Sequence, residues 1–206
     1  MIEGKLGLGG LVRGGEVLLA FPFVRGGYRY QMEVLRVISD SSTGEGWIWA
    51  RYQDVEIGFY HTFHPVQGDR FRKGDKAWFV LNGLALSLRR VEPYTLPVEW
   101  EGEAPFSTTG HRLYVPSRKG SLDEGIFQST IGRWGQRVRF EERSFYVLPL
   151  ALSQDEDKPT VIDLYVTPEL METMGSPAGT DEEIAGVFWL QGYAPEVLES
   201  FHKRPL

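Results

Sequence analysis

Trp78-Phe-Val-Leu-Asn-Gly-Leu-Ala85 returns near the other end of the chain as Val187-Phe-Trp-Leu-Gln-Gly-Tyr-Ala194. Laid one on the other, the segments match Phe79 with Phe188, Leu81 with Leu190, Gly83 with Gly192 and Ala85 with Ala194, while Trp78 and Trp189 fall out of step. Upstream of each lies another similar piece, Val55-Glu-Ile-Gly-Phe-Tyr60 and Thr160-Val-Ile-Asp-Leu-Tyr165. The two pairs have nearly the same offset, and a longer loop before the second copy absorbs the difference. The fold expected is mainly β, with two related β-barrel- or sandwich-like halves, a pseudo-repeat, and one or two short helices in the second half. A single continuous sandwich is the alternative.

Composition agrees with that class. Of 206 residues, 24 are glycine and 13% are aromatic. Aromatic side chains suit a pleated surface and glycine suits tight turns. The formal net charge is −6, so nucleic-acid binding would need locally concentrated basic residues. There is no cysteine, which removes disulfides, thiolate metal sites and cysteine nucleophiles and fits a reducing, cytoplasmic setting. The apolar run Val17–Val24 contains Pro22 and follows Arg13 and Glu16, which does not match a signal peptide. No stretch has the ~20 apolar residues needed to span a bilayer, so no membrane partner is expected.

Outward from the opening segment, strands are expected at Glu16–Val24, Tyr28–Ser39, Trp47–Tyr52 and Val55–Tyr60. Gly26-Gly27 reads as a hairpin turn between the first two. Asn82-Gly83 reads as a type I′ hairpin turn that splits Lys76–Arg90 into two strands. Residues 92–110 carry Pro93, Pro97 and Pro105 with Glu99, Glu101 and Glu103, and read as a linker packed on the surface through Trp100. The domain division expected is therefore residues 1–91, linker 92–110, and 111–206. In the second half, residues 111–131 read as irregular and Arg137–Glu141, Phe145–Leu152 and Thr160–Val166 as strands. A short helix follows, with Thr167 as cap, Pro168 in its first turn and Gly175 beyond its end. Thr180-Asp-Glu-Glu183 has capping-box spacing and predicts a helical turn, and Pro195–His202 predicts a C-terminal helix.

Five residues stand out as weak candidates for binding. Trp47, Trp49 and Arg51 lie two apart, so on a strand they share one face, an aromatic platform if exposed and core if buried. His61 and His64 are the close histidine pair. Three apart, they would not share a strand face, and Pro65 disfavours helix at His64. A third zinc ligand would have to come from afar, Asp69 or His111, so no metal and no cofactor are expected. No catalytic residue is assigned. No G-x-S-x-G elbow occurs, and Asp123-Glu124 reads as a solvated turn. Gly132–Phe140 mixes arginine with aromatics, as a single-strand-binding surface would, but Arg137 and Arg139 alternate with Val138 and Phe140 as in a strand with one wet face. The leading expectation is a non-enzymatic binding module that associates with itself or another protein through aromatic and apolar surface. The alternatives are a hydrolase using carboxylates or His61 and His64, and single-stranded nucleic-acid binding through residues 132–145.

Overall fold

The structure is a computed structural model that describes residues 2–3, 6–91, 95–96, 106–107, 112–116, 122–131, 137–140, 143–153, 155, 157–175 and 182–198. The chain opens with β1 (Ile2–Glu3), β2 (Leu6–Arg13), β3 (Glu16–Val24), β4 (Tyr28–Ser39), β5 (Gly46–Tyr52) and β6 (Val55–His61). A one-turn helix, α1 (His64–Gln67), a 3-10 turn at Gly68–Arg70 and the long β7 (Lys76–Arg90) follow. Beyond lie β8 (Thr95–Leu96), β9 (Phe106–Ser107), β10 (Leu113–Pro116), β11 (Glu124–Ile131), β12 (Arg137–Phe140) and β13 (Arg143–Ala151). The described part ends with β14 (Val161–Val166), α2 (Pro168–Thr173) and β15 (Glu182–Tyr193).

Eleven strands form one mixed sheet in the order β1-β12-β13-β14-β7-β4-β5-β6-β15-β11-β10, and β7 also pairs with β15. That extra pairing closes a circuit of hydrogen bonds through β7, β4, β5, β6 and β15. A closed circuit leaves its members no free edge. The side-chain alternation of a strand then sends every second residue inward. Met32, Val34, Ile48, Ala50, Ile57, Phe59, Phe79 and Leu81 are fully buried in one continuous core with Leu190, which is 1% exposed. The sheet draws strands from both sides of residues 92–110. Of that stretch, Thr95–Leu96 and Phe106–Ser107 pair with each other, and Trp100 lies outside the described residues.

Several expectations change. Asn82-Gly83 is not a turn: β7 runs through it for 15 residues. The reason lies across the strand. Gly83 faces Leu190 on β15, and a Cβ there would sit 3.1 Å from both Ile162 and Leu164. Asn82 is fully buried and donates its Nδ2–H to the Gly26 carbonyl at 2.9 Å. The glycine thus serves close approach, and the asparagine ties down a distant loop. Gly26-Gly27 does not make a hairpin either. Both have positive φ, but β3 pairs with β2 whereas β4 pairs with β5 and β7, so this turn carries the chain from one sheet to another. Residues 113–116 and 124–131, read as irregular, are paired strands. Glu182 and Glu183 open β15 and do not form the expected helical turn. The α2 start is as read: Thr167 Oγ1 accepts the Leu170 N–H at 3.3 Å, with Pro168 in the first turn. Glu196–Leu198 are helical, and the rest of the expected C-terminal helix lies outside the described residues.

Candidate functional site

The β4–β5 hairpin places Ser39 at the end of β4 directly opposite Gly46, the first residue of β5. Its loop is held by Asp40. The Asp40 carboxylate accepts the Ser42 N–H at 2.8 Å and the Ser42 hydroxyl at 2.6 Å, and Asp40 N–H donates to the Glu45 carbonyl at 2.9 Å. On the next strand, β6 ends at His61. Thr62 and Phe63 turn the chain, and His64 heads α1 with Pro65 in the first turn, where a missing N–H costs nothing. The expectation that Pro65 would keep His64 out of a helix therefore fails. The turn folds the two histidines together, although they share no element.

The His64 ring fills a slot between glycines. A Cβ on Gly46 would overlap the imidazole, and one on Gly68 would lie 2.6 Å from it. From this slot His64 Nε2 meets Ser39 Oγ at 2.8 Å, and its Nδ1 faces His61 Nδ1 at 3.5 Å, the outer limit of a hydrogen bond. Ser39 is exposed and His64 is 7% exposed. Both line an open cavity of about 520 Å³, whose walls also include Asp40, Asp69, Arg70 and Glu196.

Burial sets the protonation states. His61 is fully buried, and its pKa falls from 6.5 to about 3, first from loss of solvation and then from the neighbouring His64. Gln67 opposes this weakly, yet His61 Nε2 and Gln67 Oε1 make no hydrogen bond of ordinary length. His64 is also lowered by burial, with Asp69 acting against the shift. Both rings are therefore neutral near pH 7. The contacts admit a tautomer set in which the Ser39 hydroxyl donates to His64 Nε2, His64 Nδ1–H points to the lone pair of His61 Nδ1, and His61 carries its proton on Nε2. Such a chain can remove a proton from Ser39.

Trp47, Trp49 and Arg51 do share one face of β5, and it is the outer one. Both tryptophans are half-buried and Arg51 is exposed. The Trp49 indole N–H donates to Glu56 at 3.3 Å, and Arg51 pairs with the same carboxylate at 2.6 Å. Trp47 packs edge-on to Tyr60 with ring centres 6.2 Å apart, and Tyr60 lies against Trp189 at 5.3 Å. This face is neither open platform nor core. The strip is separate from the residues that line the histidine cavity.

Asp123 corrects the reading of a solvated turn: it is 3% exposed and accepts the Trp189 indole N–H. Loss of solvation raises its pKa, which Trp189 and then Trp47 partly offset. Among the described residues no group of three or more histidine, aspartate or glutamate side chains is placed to hold a metal ion, and His111 lies outside them. Residues 132–136 and 141–142 of the arginine-aromatic segment are likewise outside the described residues.

The sequence offered His64, which lines the cavity, and His61, which is fully buried and faces His64. It did not offer Ser39, 25 residues from His64, nor the two glycines that make the slot. No protein-family model matches the chain, and comparison with curated proteins and with solved structures finds no match.

Proposed function

We propose that the chain is a hydrolase of the acyl-transfer type in which Ser39 is the nucleophile, His64 the general base and His61 the positioning residue. The observation that carries this is the 2.8 Å contact between Ser39 Oγ and His64 Nε2 on the wall of an accessible cavity. Ser39 Oγ adds to a carbonyl carbon as its proton passes to His64 Nε2. The carbonyl π pair moves to oxygen. When the adduct collapses, the bond to the leaving group breaks and His64 returns the proton to it. Water repeats the sequence on the acyl-serine. His61, neutral and buried, holds the His64 tautomer that leaves Nε2 free. The test is hydrolysis of short-chain aryl esters by wild type, Ser39→Ala and His64→Ala. Each variant should lose roughly 10²-fold or more in kcat/KM. Rates equal to wild type in Ser39→Ala would refute the assignment.

A second reading keeps the chain as a self-associating module. It is favoured by the end of the sheet: among the described residues β10 pairs with β11 alone, and Leu113, Val115 and Ile126 there are 48%, 38% and 48% exposed. Edge strands with apolar side chains invite pairing with a second chain. Association of this kind persists at high salt, because screening weakens charge contacts and leaves apolar burial intact. Light scattering after size exclusion at low and high salt tests it, and a strict monomer in both excludes it.

For the architecture we read two related halves, β4-β5-β6-α1-β7 and β11-β13-β14-α2-β15, each barrel-like. Supporting this, β7 and β15 pair antiparallel with Asn82 opposite Gln191, so that Leu81 faces Gly192 and Gly83 faces Leu190. β6 runs parallel to β15 and β14 parallel to β7, and each leads into a short helix.

A further inference from the structure

We infer that the outer face of the main sheet, beneath the β2–β3 hairpin, binds internal water at the Gln191 side chain. The strand register builds the site. Asn82 on β7 stands directly opposite Gln191 on β15, Gln191 opposite Tyr60 on β6, and Asn82 opposite Asp163 on β14. Residues paired in this way share one face of a sheet. It is the face turned away from Leu81, Phe59 and Leu190, which belong to the core. A polar row therefore crosses four neighbouring strands. It is closed to solvent over most of its length: Asn82 is 0%, Gln191 1% and Tyr60 4% exposed, and Asp163 is half-buried. The cover is the hairpin, which pairs with no strand of the main sheet among the described residues. The Phe21 ring centre lies 6.1 Å from that of Tyr60, Phe23 lies 5.2 Å from Tyr193, and Val24 packs with Tyr165.

Asn82 is occupied by the loop that leaves the hairpin. Its Nδ2–H donates to the Gly26 carbonyl at 2.9 Å, and a Cβ on Gly27 would come within 2.7 Å of its Oδ1. The Gly26 N–H in turn donates to the Tyr193 hydroxyl at 2.9 Å. Asn82 thus turns to the loop and not to Gln191 opposite it. Among the described residues, neither Nε2 nor Oε1 of Gln191 meets a hydrogen-bonding partner. The same holds for Asn82 Oδ1 and for the hydroxyl of Tyr165, which is 1% exposed and within electrostatic reach of Asp163 and Tyr193. Folded proteins pair buried polar groups with protein or with ordered water, because an unpaired group has given up its solvation for nothing. Gln191 presents a donor and an acceptor on one amide, so its partner must accept and donate. Water does both in the smallest volume, and buried waters make about three hydrogen bonds each. A single ion serves one end of the amide and an apolar filler serves neither. Asn82, Gln191 and Tyr165 are all absent from the walls of the Ser39 cavity, so the site is independent of the proposed hydrolysis.

Oxygen-17 relaxation dispersion on the full chain tests the site, because it counts waters held for longer than the protein takes to tumble. Wild type should show such waters, and Gln191→Leu should lose about one or more of them per molecule. Gln31→Leu, at an exposed position on β4, should leave the count unchanged. A count unchanged by Gln191→Leu, in a variant whose circular dichroism matches wild type, overturns the inference. A second measurement needs no variant. In nitrogen-15-labelled wild type, the Nε2 protons of Gln191 should show a nuclear Overhauser effect with long-lived water, whereas those of Gln31 show only the signature of fleeting surface water. Absence of that effect at Gln191 overturns the inference whether or not Gln191→Leu folds.

Discussion

Lowering the pH should destabilise the protein through His61 in a way that His61→Phe removes. The folded ring takes a proton only near pH 3, whereas an unfolded one does so near 6.5. Between those values the unfolded state holds the extra proton, so stability falls as pH falls. Linkage with these two values gives a loss of about 2 kcal/mol between pH 7 and pH 5 from this residue alone, steepening toward ~1.4 kcal/mol per pH unit. His64, also lowered by burial, adds in the same direction. Phenylalanine keeps a ring against Phe71, which now packs edge-on at 5.4 Å, and does not titrate. The assay is urea unfolding of wild type and His61→Phe at pH 7, 6 and 5, read as the difference between the two curves so that all shared carboxylates cancel. The gap should close by about 2 kcal/mol on going to pH 5. Parallel curves would mean that His61 is solvated or charged in the folded state, and the tautomer argument for His64 would fall with it.

Three further outcomes follow from the packing. Gly46→Ala should push the His64 ring from its slot, costing about 1–3 kcal/mol in denaturant melts and reducing esterase activity by more than it reduces substrate affinity. Leu81→Ala removes a fully buried side chain from the core and should cost on the order of 2–5 kcal/mol; a loss below about 0.5 kcal/mol would place Leu81 outside any core. Asp123→Asn keeps an oxygen for the Trp189 indole while removing a charge. Because burial raises the Asp123 pKa above 3.8, the folded state favours the protonated acid. The wild type therefore loses ground to the variant as pH rises from 3 to 7, and chemical melts at both ends check the direction.

Strand positions were largely legible because alternation and β-branched runs report burial directly. Tyr28–Ser39, Val55–His61 and Val161–Val166 lie where the pattern put them or within a residue of it. What failed was the meaning of glycine. Asn82-Gly83 carries the strongest turn signal in the chain, yet Gly83 is there to admit Ile162, Leu164 and the facing strand. That reason is long-range and leaves no local trace. Gly46 and Gly68 are the same case, small because an imidazole from another element occupies the space. Residues 124–131 were missed because Gly125, Gln128, Ser129 and Thr130 dilute the apolar alternation, although Phe127 is buried. The histidine pair was visible as a pair and its chemistry was not. Periodicity rules describe single elements, whereas His61 and His64 meet across a turn. Ser39 joins them only because the β4–β5 register sets it opposite the glycine under His64.

Covalent labelling of Ser39 tests the central claim most directly. Wild-type protein treated with a fluorophosphonate should gain the mass of one adduct, mapped by peptide sequencing to Ser39. The adduct should be absent from Ser39→Ala and slowed by roughly 10²-fold in His64→Ala. An unlabelled wild type, or an adduct that persists in Ser39→Ala, would contradict the account.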